Sequence, residues 1–397
     1  MTRSSLFTSP RYILLVGMIL CLLSSCTTPT GTPTSTPLPT PTPEKMECTI
    51  LPYPADVRET MTAFLDEFSH VTGSESAPVT LLLLTDFQCP GCKVLADSIK
   101  VVQAAHPSDL RLIVRYLPDG RFDKSTLAMQ AAEAAHLQGQ FWSMYFLLFD
   151  TQAEWYSLDH VEFSTWLHEK ASSLGLDVTR FDADLIGEEV ISRVQRASES
   201  SASMGLQPPI LFINNNSPYS GMADVTSLDR TVRLALLEQS KFHTCPDWSI
   251  DLTHQYVVRM QTSRGEVALQ LFPEKAPLAV NNFIYLIRQG WYDNSPIHFV
   301  EPGFVIQAGD PSGTGFGNPG YYFPTEFAPG LSFTRAGMLA MANAGSGTNG
   351  SMFFITYAAA PQLDGQFTIF GEVLTGMEIL ESITVGENIL TLSVEER

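Results

Sequence analysis

The chain has 397 residues and a formal net charge of -19, from 23 basic and 42 acidic side chains. This acidic excess, without a basic patch, argues against nucleic acid as a partner, because such sites need clustered lysine and arginine. With 44% hydrophobic residues the length is ample for two ordinary domains.

The amino terminus is predicted to be a signal peptide, residues 1–25. Arg3 and Arg11 precede an apolar run that ends in the lipoprotein-type box LSSC. Cleavage before Cys26 would leave an N-terminal cysteine for lipidation, and the apolar run is short for an uncleaved membrane span. We therefore expect an extracytoplasmic protein, anchored by lipid to the outer face of the bacterial cell membrane, in a compartment that tolerates disulfides.

Residues 26–46 are predicted to be the lipidated cysteine and a stalk. The segment from Thr27 to Pro43 is almost entirely threonine and proline, a composition that cannot form a core and favours polyproline II. At 3.1 Å per residue it would hold the folded part about 50 Å from the lipid.

The first chemical motif follows a predicted buried strand. The continuous apolar run VTLLLLTD at Val79–Asp86 ends in a polar residue, as in a strand covered on both faces. The residues CPGC then open a stretch with helical spacing, which places Cys89 at the amino end of a helix, where unpaired N–H groups favour a thiolate. The two-residue spacer lets Cys92 reach back to resolve a mixed disulfide. The pattern predicts thiol–disulfide exchange.

The elements that follow complete an α/β pattern. They are a strand at Leu110–Leu117, a long stretch of helical pattern that includes QGQFW, a strand at Pro209–Asn214 and a helix near Val225–Gln239. With DFQCPGC and QGQFW as its clearest marks, the stretch from about Val79 to Gln239 resembles the DsbA-like branch of the thioredoxin superfamily. The resemblance implies a thioredoxin fold with a helical insertion.

The same resemblance implies roles for three residues. Cys89 would be the attacking thiolate, Cys92 the resolving thiol, and Pro209 the cis-proline whose backbone pairs with the substrate next to the cysteines. Pro208 stands where Thr or Val is usual, and this difference is expected to alter substrate contact or redox poise.

The alternatives for CPGC are half a zinc site or a structural disulfide. Zinc needs two further ligands at finger spacing, whereas Cys48 and Cys245 stand alone and far apart. Because Cys48 lies just before this unit and Cys245 just after it, we expect these two to form a structural disulfide that joins its ends.

A second motif region lies between Pro296 and Gly371. Short apolar runs alternate there with glycine-rich turns, which predicts a small antiparallel barrel. Its strands would bring an apolar slot and a group of amides onto one wall, an arrangement that fits a proline ring flanked by peptide groups. The predicted slot residues are Phe304, Val305, Phe354 and Leu363, and the predicted polar contacts are Gln307, Ala342, Asn343 and Ala344.

Residues from about Gln255 to Ile383 resemble a bacterial-type cyclophilin, on the motifs PGFVIQAGDPSGTG, LAMANAG and QLDGQFTIFGEV. The resemblance implies a mainly-β, closed barrel that isomerises X-Pro bonds, with Gly313 as a further substrate contact. Rotation about such an amide is opposed by about 18–20 kcal/mol of resonance. A pocket of this kind lowers the barrier by desolvating the twisted amide and donating a hydrogen bond to the prolyl nitrogen.

Several pocket positions depart from the family pattern. The family places an arginine donor directly after the histidine of a Phe-His-Arg run, but Phe299 follows His298 here. Met352 stands where Gln is usual, Gln362 where eukaryotic members have Trp, and Phe367 where His is common. Because a charged donor is replaced by an apolar ring, we expect a proline-binding pocket with weakened turnover.

The predicted organisation is multidomain, with a DsbA-like thioredoxin-fold domain at 47–247 and a cyclophilin-like isomerase domain at 253–397. The expected function is an extracytoplasmic folding factor that acts on unfolded or exported polypeptides, with an unidentified redox partner for the CxxC motif and neither metal nor cofactor. Two alternatives stay open. The cyclophilin-like domain would only bind proline-containing clients, or the CxxC motif would serve as an extracytoplasmic thiol reductant.

Overall fold

The computed structural model describes residues 45–52, 66–203, 205–214 and 218–397. All of them belong to one compact unit, Pro43–Arg397. The predicted signal peptide, the lipidated Cys26 and nearly all of the stalk lie outside the described residues. Within the described ranges, no helix combines the length and the apolar character needed to cross a bilayer.

The first half of the chain builds a four-stranded sheet in the order β2-β4-β3-β5. The central strands β3 and β4 are parallel, and β2 and β5 run antiparallel to their neighbours. Strand β3 is buried almost throughout, which explains its unbroken apolar sequence. The strands of this half are β1 (Thr49–Ile50), β2 (His70–Thr72), β3 (Val79–Thr85), β4 (Leu110–Tyr116) and β5 (Ile210–Ile213).

Eight α-helices accompany this sheet in the described residues, and six of them lie between β4 and β5 as a helical insertion. Local signals set several helix starts: Pro90 occupies the first turn of α1, and Asp159 with Glu162 forms a capping box on α5. The helices are α1 (Pro90–Ala105), α2 (Ser125–His136), α3 (Phe141–Asp150), α4 (Gln152–Trp155), α5 (His160–Ser173), α6 (Val178–Leu185), α7 (Glu188–Ala202) and α8 (Val225–Leu237). A thioredoxin-like unit with a helical insertion is therefore present.

The second half of the chain is dominated by a nine-stranded sheet in the order β8-β15-β6-β7-β14-β12-β13-β10-β9. All its described pairings are antiparallel, and helix α9 (Pro277–Arg288) contributes its apolar face to the core, while the short helix α10 (Met377–Ser382) follows β14. The nine strands are β6 (Tyr256–Thr262), β7 (Gly265–Leu271), β8 (Ser295–Pro296), β9 (Phe299–Glu301), β10 (Val305–Ala308), β12 (Met338–Met341), β13 (Phe353–Thr356), β14 (Ile369–Thr375) and β15 (Asn388–Glu396). Strand β11 (Tyr321–Tyr322) lies outside this sheet.

The strand order of this sheet is linear, with β8 at one edge and β9 at the other. The predicted mainly-β architecture is confirmed, whereas closure of the sheet into a barrel is not. Closure depends on pairing between the first and last strands of the sheet, which alternating apolar residues within each strand do not specify.

The described residues 45–52 pack on the β-rich half of the chain. Strand β1 pairs antiparallel with β11, and Met46, only 2% exposed, belongs to the core under the nine-stranded sheet. Cys48 forms a disulfide with Cys245, which lies in the segment after helix α8. The disulfide therefore ties β1 to the segment that connects the two halves.

Removing this disulfide is expected to destabilise the fold. The cross-link closes a loop with a sequence separation of 197 residues, and loss of a long-loop disulfide typically costs about 2–4 kcal/mol. Urea unfolding of the double variant Cys48→Ser/Cys245→Ser under non-reducing conditions measures the change. Each single variant, Cys48→Ser or Cys245→Ser, breaks the same cross-link and should be destabilised to the same extent as the double variant. A double variant as stable as the wild type would contradict the prediction.

Candidate functional site

The CxxC motif stands at the start of helix α1. Cys89 is the N-cap residue, with an extended backbone, and its Sγ accepts a hydrogen bond from the backbone N–H of Cys92 at 3.2 Å. Both cysteines are free thiols, Cys89 being 5% exposed and Cys92 fully buried. The structure thus places Cys89 at the start of a helix, as the sequence predicted.

The two thiols have opposite acid–base character. The hydrogen bond from the Cys92 side chain lowers the pKa of Cys89 below the ordinary thiol value, and backbone N–H groups of Cys92 and Gly91 act in the same direction against burial and the charge of Asp86. Burial, followed by interaction with Cys89, raises the pKa of Cys92. Of the two thiols, Cys89 is therefore the one that ionises first.

Alkylation of the reduced protein is expected to be selective for Cys89. Because the pKa of Cys89 is lowered, its thiolate persists below the ordinary thiol pKa, and the alkylation rate falls only as the pH drops through the lowered value. Cys92 stays protonated and buried, so it is not modified. The dependence of the iodoacetamide labelling rate on pH tests the lowered pKa. Mass spectrometry of the labelled protein tests the selectivity for Cys89. A rate that titrates at the ordinary thiol pKa would contradict the lowered pKa.

Pro209 lies beside the cysteines, after a cis peptide bond from Pro208. A Cβ built on Gly91 would lie 3.6 Å from Pro209 Cδ and 3.9 Å from Cys89 Sγ. The structure thus brings together the three residues that the sequence assigned to the redox site: Cys89, Cys92 and Pro209.

The sequence did not reveal the polar groups that hold this site. Gln152, from helix α4, donates from Nε2 to the carbonyl oxygens of Phe87 at 2.7 Å and Cys89 at 3.2 Å. The fully buried Asp86 accepts from the backbone N–H of Gln88 at 2.8 Å and of Asp119 at 2.7 Å. Burial raises the pKa of Asp86. In the sequence, Asp86 could be recognised as the polar residue that ends the apolar run VTLLLLTD. No sequence pattern indicated that Gln152 belongs to the site.

The predicted proline slot forms a separate apolar cluster on the nine-stranded sheet. Phe354 is its centre, since its ring stacks on Phe333 with centroids 5.7 Å apart and meets Phe367 edge-on at 5.2 Å. All four predicted slot residues belong to the cluster, as does the predicted contact Ala342. The buried members are Val305, Phe333, Met338, Ala340, Ala342, Phe354, Ala360 and Ile369, and half-buried members include Phe304, Met352, Leu363 and Phe367.

Strand register places Phe299 at the cluster's polar edge. Phe299 on β9 is directly opposite Gln307 on β10, which is opposite Phe354 on β13. Directly opposed residues point to the same face of a sheet, so these three side chains form one row. Gln307 Nε2 lies 3.9 Å from Met352 Sδ, and Phe299 is 42% exposed. The residue at position 299 therefore faces the space beside the slot.

The remaining predicted contacts divide into two groups. Asn343 is half-buried at the end of β12, and its Nδ2 donates to Asn349 Oδ1 at 3.1 Å and to the Gln366 carbonyl at 3.3 Å. The backbone N–H of Ala344, an exposed residue, donates to Thr348 Oγ1 at 2.9 Å. These two follow Ala342 directly and continue the wall of the cluster.

Gly313 is placed elsewhere. It has a φ of +65°, and a Cβ there would lie 2.5 Å from Pro296 Cγ and 3.5 Å from Arg233 Nη1. Both neighbours are outside the apolar cluster.

A cavity of about 220 Å³ adjoins the cluster. Phe333, Phe367 and Ile369 belong to both the cluster and the cavity wall, while none of the four predicted slot residues lines the cavity. Phe333 escaped prediction because it stands in a segment without strand alternation.

The fold and the two sites define a class: a thioredoxin-like unit with a CxxC dithiol, followed by an antiparallel sheet that carries an apolar cluster. Residues 257–394 match the model of the cyclophilin type peptidyl-prolyl cis-trans isomerases, and residues 66–220 match a thioredoxin model. No group of three or more His, Cys, Asp or Glu side chains that could hold a metal ion occurs in the described ranges.

Two similar proteins support the match to the peptidyl-prolyl isomerase model. A peptidyl-prolyl cis-trans isomerase-like 1 of Gibberella zeae is 49% identical over 121 residues, which is 30% of this chain and 75% of that protein. A peptidyl-prolyl cis-trans isomerase of Schizosaccharomyces pombe is 48% identical over 125 residues, 31% of this chain and 81% of that protein. Through this region the chain belongs to the cyclophilin-type peptidyl-prolyl isomerase family. The crystal structure of a Cryptosporidium parvum cyclophilin is 36% identical, with 36% of this chain and 99% of that chain covered and a TM-score of 0.35.

Proposed function

We propose that this chain is an extracytoplasmic protein-folding factor that joins a cyclophilin-type peptidyl-prolyl isomerase to a DsbA-like thiol–disulfide oxidoreductase. The observation that carries the proposal is the presence, in one compact unit, of Cys89, whose pKa is lowered, beside Pro209 and of an apolar cluster centred on Phe354. Disulfide pairing and proline isomerisation are both slow covalent steps of folding, so unfolded or exported polypeptides are clients for both sites.

The redox half acts as an oxidant in this proposal. A client thiolate attacks Cys89 Sγ of the Cys89–Cys92 disulfide, the S–S bond breaks, and Cys92 leaves as a thiolate that takes up a proton. A second client thiolate then attacks the client sulfur of the mixed disulfide and releases Cys89 as a thiolate. The client loses two electrons and the CxxC motif gains them. The low pKa of Cys89 makes it a good leaving group, while an external redox partner reoxidises the pair.

The isomerase half acts without covalent chemistry. The aromatic walls around Phe354 would receive the proline ring and exclude water, and Gln307 and Asn343 would contact the flanking peptide groups. Desolvation favours the twisted amide over the planar one, because the twisted form has lost the resonance that separates charge. The hydrogen bond to the prolyl nitrogen has no charged donor at position 299.

The compartment is also part of the proposal. The signal-peptide pattern and the LSSC box favour lipid anchoring at the outer face of a bacterial membrane. The Cys48–Cys245 disulfide is consistent with an oxidising compartment.

Two measurements on the intact wild-type protein test the two activities separately. The Cys89/Cys92 reduction potential, equilibrated against glutathione, decides the direction: a value near that of DsbA, about -120 mV, supports the oxidant, and one near that of thioredoxin, about -270 mV, supports the reductant. A protease-coupled assay on an X-Pro peptide decides whether the pocket turns over. Acceleration above the uncatalysed rate supports the isomerase.

A second candidate function is favoured by Phe299. If the pocket binds X-Pro peptides without accelerating their isomerisation, the domain is a client-binding module for the dithiol. Peptide titration that gives saturable binding, together with no rate enhancement in the wild type, would establish this function in place of the isomerase.

A further inference from the structure

The loop that follows β10 is organised around one buried carboxylate. Asp310, fully buried, accepts hydrogen bonds from the backbone N–H groups of Ser312, Thr314, Gly315, Phe316 and Gly317 at 2.8–3.2 Å, and from two hydroxyl groups of the same loop. We call residues 312–317 the Asp310 loop. It contains Gly313, and it continues directly from the strand that carries Val305 and Gln307.

Helix α8 of the thioredoxin-like unit contacts this loop along one face. Arg233 Nη1 donates to the Ser312 carbonyl at 3.1 Å. The guanidinium of Arg230 lies 5.4 Å from the ring centroid of Phe316. Leu237 is buried and packs against the loop, since a Cβ on Gly317 would lie 2.7 Å from Leu237 Cδ2, as well as 2.0 Å from Asp310 Oδ1. The positions 230, 233 and 237 recur at helical spacing, which puts all three on one face of α8.

The Arg233 side chain is itself held in place. Its Nε lies 3.0 Å from Asp229 Oδ2, one turn earlier on α8, and Asp229 Oδ1 lies 2.8 Å from His106 Nε2. His106 is the C-cap residue of α1, the helix that begins at Cys89. A continuous line of polar contacts therefore runs from the redox helix through Arg233 to the Asp310 loop.

We propose that Arg233 is a positioning residue for the isomerase half: the thioredoxin-like unit holds the Asp310 loop, which continues from the strand that carries Val305 and Gln307, in the conformation that supports binding of an X-Pro peptide. This inference rests on the proposed peptide binding by the apolar pocket. Arg233 touches the loop and not the cluster around Phe354, so it acts through the loop. Its effect falls on peptide affinity, since an interaction made equally in the ground state and the transition state changes KM and leaves kcat unchanged.

The test uses the intact chain with Arg233→Ala and Arg233→Lys. Loss of one charge-assisted hydrogen bond that orders a binding loop is expected to raise KM for the X-Pro peptide about tenfold at unchanged kcat. Amide hydrogen exchange across 312–317 should accelerate in Arg233→Ala. Arg233→Lys keeps a cation that can donate to the Ser312 carbonyl. Its KM and its exchange rate should therefore lie between those of the wild type and those of Arg233→Ala. Arg196→Ala is the matched control, because Arg196 forms an exposed ion pair with Glu67 on the α7 side of the thioredoxin-like unit.

The outcomes separate this inference from the proposed function. If the wild type shows no isomerase activity, the isomerase proposal fails, and peptide dissociation constants replace KM in the same comparison. Unchanged affinity together with unchanged exchange in Arg233→Ala would overturn the positioning role. An equal drop in kcat for both Arg233 variants would also overturn it, because that result indicates general damage to the fold.

Discussion

Replacing Cys89 with serine is expected to abolish thiol–disulfide exchange, with a loss of about a thousandfold or more in the rate of mixed-disulfide formation. Cys89 is the one thiol of the motif whose pKa is lowered, whereas Cys92 is fully buried and its pKa is raised by that burial. The remaining thiol in Cys89→Ser is therefore both protonated and inaccessible. The measurement is the rate at which the reduced protein reacts with a disulfide-bonded peptide, followed by non-reducing mass spectrometry.

The matched variant is Cys92→Ser. It retains the attacking thiol and lacks the resolving one, so the mixed disulfide with the peptide should accumulate and persist. Exchange by Cys89→Ser at the wild-type rate would show that Cys92 is the attacking residue and would remove the assignment made from the helix start.

Replacing Phe299 with arginine is expected to raise kcat/KM for an X-Pro peptide by about a hundredfold, the lower end of the effect that one preorganised donor has on a developing charge. The register of β9, β10 and β13 puts position 299 in the same row as Gln307 and Phe354, on the face that carries the slot. Phe299 is already 42% exposed, so a guanidinium can stand there without burial of its charge. The protease-coupled isomerisation assay gives the rate.

Leu390→Arg is the control for the added charge. Leu390 is 41% exposed and lies on β15. Strand β15 is next to β8, and β8 and β9 form the two opposite edges of the nine-stranded sheet. The Leu390→Arg substitution should leave kcat/KM unchanged. A Phe299→Arg protein no faster than the wild type would show that the pocket does not present a prolyl nitrogen to position 299.

Local sequence patterns predicted the elements that carry both sites. The apolar run at Val79–Thr85, the proline directly after Cys89, and the short strand at Phe353–Thr356 each have their signal within a few neighbouring residues. Their secondary structure and burial follow from composition and spacing, so they could be found without coordinates.

The remaining features depend on contacts between distant parts of the chain. Gln152 reaches the Phe87 carbonyl from a position 65 residues away, and Arg233 reaches Ser312 across 79 residues. Closure of the nine-stranded sheet into a barrel likewise depends on pairing between distant strands. No periodicity within a segment encodes such pairings, because the same pattern of apolar residues is compatible with several registers and partners.

The pairing of β1 with β11 limits the order in which parts of the chain can fold during synthesis. Thr49 leaves the ribosome about 270 residues before its partner Tyr322, and contacts of such long sequence separation form late. Until β11 exists, Cys48 has no strand to align it with Cys245, and it shares a nascent polypeptide with the nucleophile Cys89. The thiols of Cys48, Cys89 and Cys92 are therefore present together on one polypeptide before the Cys48–Cys245 disulfide can be aligned by the strand pair.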